Sequence, residues 1–172
     1  MTSGAIESYN NIVITQESMP NYIKWIREKV GHDPIILNAA VALVLNEHNQ
    51  VLLLRRADRT EEVWGLPGGM MEVGESAEET MRREVMEETG LDVKVEKFLG
   101  VYTKDRFDSY PNGDKAYVIL FVFVCRISGG ILNADKEEAA ELRYFDLKDF
   151  PSTFRHKQVL KDYVDGKHGL IR

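Results

Sequence analysis

Gly69-Met70-Met71-Glu72-Val73-Gly74-Glu75-Ser76-Ala77-Glu78-Glu79-Thr80-Met81-Arg82-Arg83-Glu84-Val85-Met86-Glu87-Glu88-Thr89-Gly90-Leu91 is the stretch that decides the fold of this chain. It places seven carboxylates on or beside one short helix. Ser76 with Glu79 three residues on is a capping-box start, and Gly90 stands where a helix-ending glycine belongs, so the spacing predicts a helix over 77–89. On that helix Glu84, Glu87 and Glu88 lie at i, i+3 and i+4 and share one face, where like charges repel by a few tenths of a kcal/mol (roughly) per pair. Arg83 offsets only part of this by pairing with Glu87 at i+4. Glutamate-rich helices are ordinarily solvated faces, but the upstream run Trp64-Gly65-Leu66-Pro67-Gly68-Gly69 favours another reading. It is expected to be neither helix nor strand interior; a Pro-Gly-Gly turn permits positive φ and exposes carbonyls beside the acidic helix. Hard divalent cations such as Mg²⁺ or Mn²⁺ take carboxylate, carbonyl and water oxygens and bind phosphates alongside.

The spacing of Gly69, five residues, Glu75, seven residues, then Arg83-Glu84-Val85-Met86-Glu87-Glu88-Thr89-Gly90-Leu91 resembles a complete Nudix box, with every defining position filled. The resemblance implies a metal-dependent hydrolase that cleaves a nucleoside diphosphate linked to another group, with Mg²⁺ or Mn²⁺ as cofactor. It also implies an α/β fold: a Nudix-like α/β/α sandwich with a mixed β-sheet. Residue by residue, Glu84 and Glu88 match the principal metal ligands, and Glu87 a third or water-mediated one. Arg83 and Glu75 match a pair that braces the loop against the helix, and the Gly68–Gly69 backbone matches the site of a carbonyl ligand.

Composition sets outer bounds. At 172 residues the chain forms one domain with a short appendage: an N-terminal extension over 1–34 carrying one helix, and a hydrolase domain over 35–172. A net charge of −6 argues against a phosphate-tracking nucleic-acid surface, so the expected partner is a small nucleotide received by local arginines and metal. The single cysteine, Cys125, lies in the apolar run 116–127 and is expected to be a buried, inert thiol. With no disulfide possible within the chain, a reducing cytoplasm is the expected location. Residues 1–11 lack the pattern of a signal peptide, and no apolar run reaches the roughly 18 residues of a membrane span.

Along the chain, Ile12-Val13-Ile14 is an apolar patch in a polar segment, expected to be poorly ordered or to add an edge strand. Pro20 is expected to open a helix running to Val30, with Tyr22, Ile23, Ile26 and Val30 on one face. That face either covers its own domain or meets a second copy in a homodimer. Runs 35–45 and 51–56 read as a hairpin, 64–66 as a short strand, and 92–102 and 116–127 as strands. The last of these is apolar enough for a central strand covered on both faces. A strand over 141–145 and a helix over 152–164 complete the chain. Without a repeating βα unit, a mixed sheet between helices fits better than a doubly wound fold.

Outside the box, the general base has two candidates. One is a box glutamate. The other is Glu138, which matches the position where the resembled family often carries an extra catalytic glutamate, ahead of Glu141-Leu142-Arg143-Tyr144. Its neighbours Asp135 and Glu137 read as a solvated acidic loop. Arg55 and Arg56 end a strand pointing toward the glycine turn; adjacent strand residues face opposite ways, so one can meet substrate phosphates while the other forms a surface ion pair. Tyr110, in the loop that also carries Arg106 and Phe107, could stack on a base or sugar. His32, His48, His156 and His168 have no ligand spacing and are expected at the surface. The six methionines read as packing.

Three function classes follow. The first is hydrolysis of a nucleotide sugar or ADP-ribose, with nucleoside triphosphate pyrophosphohydrolysis as its alternative. A nucleotide sensor that does not turn its ligand over would be expected to lose box carboxylates, and here they are intact. Hydrolysis at RNA 5′ ends would want a basic approach surface.

Overall fold

This computed structural model describes residues 21–57, 62–103, 107–110, 112–135 and 138–172. The apolar patch at 12–14, Pro20, Arg106 and Glu137 lie outside the described residues. In chain order the elements are α1 (Tyr22–Val30), β1 (Ile35–Leu45), β2 (Val51–Arg56), β3 (Trp64–Gly65), β4 (Gly68–Met70) and α2 (Ala77–Thr89). There follow β5 (Leu91–Tyr102), β6 (Phe107–Ser109), β7 (Lys115–Gly130), β8 (Ala139–Phe145), α3 (Lys157–Val164) and β9 (Leu170–Ile171).

The centre of the sheet is β7, parallel to β1 over Ile35–Leu45 and antiparallel to β5. Strand alternation sends Leu37, Ala39, Val41, Leu43 and Leu45 of β1 to one face and Ala40, Ala42 and Val44 to the other. The first face packs with Val118, Leu120, Val122 and Val124 of β7 beneath Tyr22 and Ile23 of α1 and Val159 and Leu160 of α3. The second meets Met81 and Val85 of α2, with Phe123 and Cys125. Helices on both faces of a mixed sheet make the α/β/α sandwich, and β7 is the covered central strand its apolar run predicts. Cys125 is fully buried, and burial pushes its thiol up to about 12, as an inert packing residue requires.

Three expectations need correction. The predicted hairpin exists only at its neck: β1 and β2 pair at Leu45 and Val51 alone. Asn46 closes the neck, its side-chain oxygen accepting the N–H groups of His48 and Gln50, each at 2.9 Å. Beyond it β2 leaves to pair with β8 and β3, because β4 occupies the free edge of β1. The glycine run is therefore no free turn; Gly68–Met70 is a three-residue strand antiparallel to β1, with Gly68 opposite Val41 and Gly69 opposite Ala40. Glycine is required there, since at Gly68 φ is +138° and a Cβ would stand 2.2 Å from the Ala40 carbonyl oxygen. Finally, α3 begins at Lys157 rather than Ser152, because Arg155 N–H donates to the Trp64 carbonyl at 3.0 Å and ties the preceding turn to β3. At the other end of the chain, α1 starts at Tyr22, capped by the Asn21 side chain, which accepts from Lys24 N–H at 2.9 Å.

Candidate active site

Helix α2 has the ends its sequence encodes. Glu79 N–H donates to Ser76 Oγ at 3.3 Å, Ser76 N–H donates to Glu79 Oε2 at 2.8 Å, and Gly90 closes the helix in the left-handed conformation at φ 70°. Burying Met81 and Val85 against the sheet fixes the rotation of the helix, which turns Glu84 and Glu88 toward β4. Gly68 N–H donates to Glu88 Oε2 at 2.7 Å. Glu84 lies so close to Gly69 that a Cβ there would stand 2.4 Å from its carboxyl carbon. The glycines of β4 thus let two carboxylates approach the backbone.

Arg83 locks this geometry. Its guanidinium donates to Glu75 at 2.6 and 3.0 Å, to Glu84 at 2.8 Å, to Glu87 at 3.0 Å and to the Met70 carbonyl at 3.2 Å. Hydrogen bonding to Arg83 holds the Glu75 carboxyl down at about 2, and the same bonds raise Arg83 further above its already high value. Loop, strand and helix are braced by one side chain.

The third carboxylate, Glu138, stands immediately before β8. A register shift opposite Arg55 and Arg56 of β2 sets Arg56 across from Ala139 and Arg55 across from Glu141. Such a bulge re-aims side chains. Ala57 N–H donates to the Glu138 carbonyl at 2.9 Å, fixing Glu138 beside the site. One oxygen from each of Glu84, Glu88 and Glu138 falls within 4.8 Å of the others. Burial pushes the Glu84 carboxyl above its ordinary value, and burial with the nearby Glu84 charge raises Glu88 to about 8 against the opposing Gly68 N–H. One buried carboxylate, Glu88, a part-buried one, Glu84, and an exposed third, Glu138, converging on one point, form a donor set suited to a hard divalent cation.

A cavity of about 630 Å³ opens over this group. Its floor holds Gly68, Gly69, Glu84, Glu88 and Glu138; Arg56 and Tyr110 stand in its walls. Of the two arginines, Arg56 lies where its charge bears on Glu88, while Arg55 pairs with Glu141 at 3.4 Å. Glu87 stands apart from the three-carboxylate group, half exposed and joined to Arg83.

His156 departs from its expected surface position. It is 9% exposed, lines the cavity, and its Nδ1 accepts the Leu66 N–H at 3.2 Å, because the turn before α3 folds back onto β3. Asn21 and Ile23 of α1, Glu72, and the Asp108 and Arg155 ion pair also line the cavity. No local pattern in the sequence singles these out; they meet only through the fold.

Comparison with known proteins agrees with the geometry. The model of the NUDIX domain matches residues 36–163. A relative from Methanocaldococcus jannaschii described as an ADP-ribose pyrophosphatase is 35% identical over 163 residues, covering 94% of this chain and 88% of its own. A putative 8-oxo-dGTP diphosphatase from Bacillus subtilis is 34% identical over 129 residues, covering 74% of this chain and 79% of its own. Among solved structures, that of a UDP-X diphosphatase superposes with a TM-score of 0.62 at 27% identity, covering 86% of this chain and 71% of the other.

Proposed function

Because the chain belongs to the Nudix hydrolase family, we propose that it hydrolyses the pyrophosphate bond of a small nucleoside diphosphate joined to a sugar, of the nucleotide sugar or ADP-ribose type, with Mg²⁺ or Mn²⁺. The observation that carries this reading is the convergence of Glu84, Glu88 and Glu138 on one point beneath a cavity floored by Gly68 and Gly69. Glu84 and Glu88 would hold the ion with Glu138 beside it. When bound, the ion neutralises the diphosphate and polarises the bond under attack.

The chain's own residues do the rest. Arg83 and Glu75 keep the Glu84 side chain on the β4 glycines, so the diphosphate binds at a fixed place relative to the carboxylates. Arg56 meets a phosphate oxygen with its planar fork. Glu138 takes the proton of the attacking water as its oxygen bonds to phosphorus and the bridging oxygen leaves. The products are a nucleoside monophosphate and the phosphorylated remainder. Tyr110 offers a ring to the base or sugar.

Charge favours a diphosphate over a triphosphate. Apart from the three carboxylates at the ion, the cavity is lined by Glu72, Asp108 and Asp114 against Arg27, Arg56 and Arg155, and Arg27 and Arg155 are paired with Asp114 and Asp108. A ligand with fewer phosphates and several hydroxyl donors suits such walls better. The M. jannaschii relative's description as an ADP-ribose pyrophosphatase supports the same class. The second reading, a triphosphate pyrophosphohydrolase, is favoured by the B. subtilis relative's description. Screening ADP-ribose, nucleotide sugars and nucleoside triphosphates with each ion, and identifying the phosphorylated products, separates the two. Monophosphate release from the diphosphate compounds is expected; preferential release of pyrophosphate from triphosphates would replace the first reading with the second.

A further inference from the structure

Glu72 lies in the box stretch at a position the motif leaves open, yet it makes contacts to an element fifty residues upstream. Its Oε1 accepts from Asn21 Nδ2 and its Oε2 from Tyr22 N–H, both at 3.1 Å, so one carboxylate grips the first residues of α1. A carboxylate at that place also complements the helix dipole. On its other side Glu72 N–H donates to Glu75 Oε2 at 3.1 Å, and Glu75 is the partner of Arg83, which reaches Glu84. An unbroken chain of polar contacts therefore runs from the start of α1 to a carboxylate at the cavity floor.

What Glu72 holds is a wall of the cavity. Asn21, which caps α1, and Ile23 of α1 line it together with Glu72 and the β4 glycines. The far end of α1 is secured separately, by Arg27 donating to the Asp33 and Lys115 carbonyls at 2.8 Å each. None of the nine residues of α1 is fully buried, so beside the contacts of Tyr22 and Ile23 with the core these two polar anchorages carry much of what positions the helix.

We propose that Glu72 is a positioning residue that sets α1 as the outer wall of the substrate cavity and thereby determines how tightly the group attached to the diphosphate is held. This rests on the proposed diphosphohydrolase reading for its kinetic consequence, but not for its structural one. Since Glu72 acts on binding through α1, its loss raises KM while the carboxylate group that performs the chemistry stays braced by Arg83.

The test has two arms. In the first, amide hydrogen exchange on the full-length, metal-free protein compares wild type with Glu72→Ala and Glu72→Gln. Exchange over 22–26 is expected to rise in Glu72→Ala, less in Glu72→Gln, which retains an acceptor, while 81–88 of α2 stays as protected as in wild type. This arm needs no substrate, so it decides the Glu72 link even if no nucleoside diphosphate compound is turned over. In the second arm, on the best substrate found for wild type, Glu72→Ala should raise KM roughly tenfold with kcat within about twofold, and Glu72→Gln should recover part of the loss. Ile23→Ala should raise KM in wild type and have little further effect in Glu72→Ala, because the wall is already displaced. Unchanged exchange in α1 would overturn the proposal, as would a loss confined to kcat or full additivity of the two substitutions.

Discussion

Glu88 concentrates the tension of the site in one side chain: it is 3% exposed, hydrogen-bonded to Gly68, and close to Glu84. Its folded value of about 8 lies above the ordinary 4.5, so its favourable contribution to stability is complete below 4.5 and is lost as pH rises through 8. Glu88→Gln does not titrate. In EDTA the melting temperature of Glu88→Gln is therefore expected to gain on wild type between pH 5 and pH 8.5; a difference independent of pH would contradict the burial account. Glu75 behaves in the opposite sense. Its value of about 2 makes its bond to Arg83 a stabilising contact above 4.5 that fades as pH falls toward 2. Glu75→Gln should lower stability at neutral pH by about 2 kcal/mol and by much less near pH 3. Equal losses at both, read from denaturant midpoints, would argue against it. For Glu138, replacement by glutamine should cost about 10²–10⁴ in rate. A loss below tenfold would return Glu138 to the acidic loop.

Among the elements, α2 was legible from its first residue to its last because its signals are local: the Ser76 and Glu79 cap at one end and Gly90 at the other. The strand identities of β1 and β2 were equally plain, since short apolar runs bounded by a turn signal announce themselves. Their pairing was not. Which strand lies beside β1 is decided by β4, whose sequence looks like a turn because glycine serves close approach there as well as freedom. Gly68→Ala should consequently cost more than a turn substitution would, about 3 kcal/mol or more, through both φ and the clash with Ala40. A thermal shift of only a degree or two would show that β4 can move aside. The short strands β6 and β9 carry no periodicity of their own and exist because β7 and β5 offer them edges.

At the scale of the molecule, a mixed sheet between α2 on one face and α1 and α3 on the other brings distant regions to one cavity: α1, β1, the β4–α2 segment, the β2–β8 pair, β6 and the turn after it, β7, and the turn before α3. The sequence disclosed the carboxylates of the box because their spacing on one helix is itself the signal. Arg56 could be separated from Arg55 only once the β2–β8 bulge was known, and His156 and Glu72 only once their distant partners were. Among the described residues no helix is long and apolar enough to cross a membrane. The central claim is that Glu84 and Glu88 hold the ion that makes diphosphate hydrolysis possible at this cavity. It is tested most directly by the initial rate of AMP release from ADP-ribose at saturating Mg²⁺, measured for wild type, Glu84→Gln and Glu88→Gln under conditions where all three are folded. Wild type should release AMP and ribose 5-phosphate, with each variant slower by roughly a thousandfold or more; near wild-type release by either variant would contradict the account.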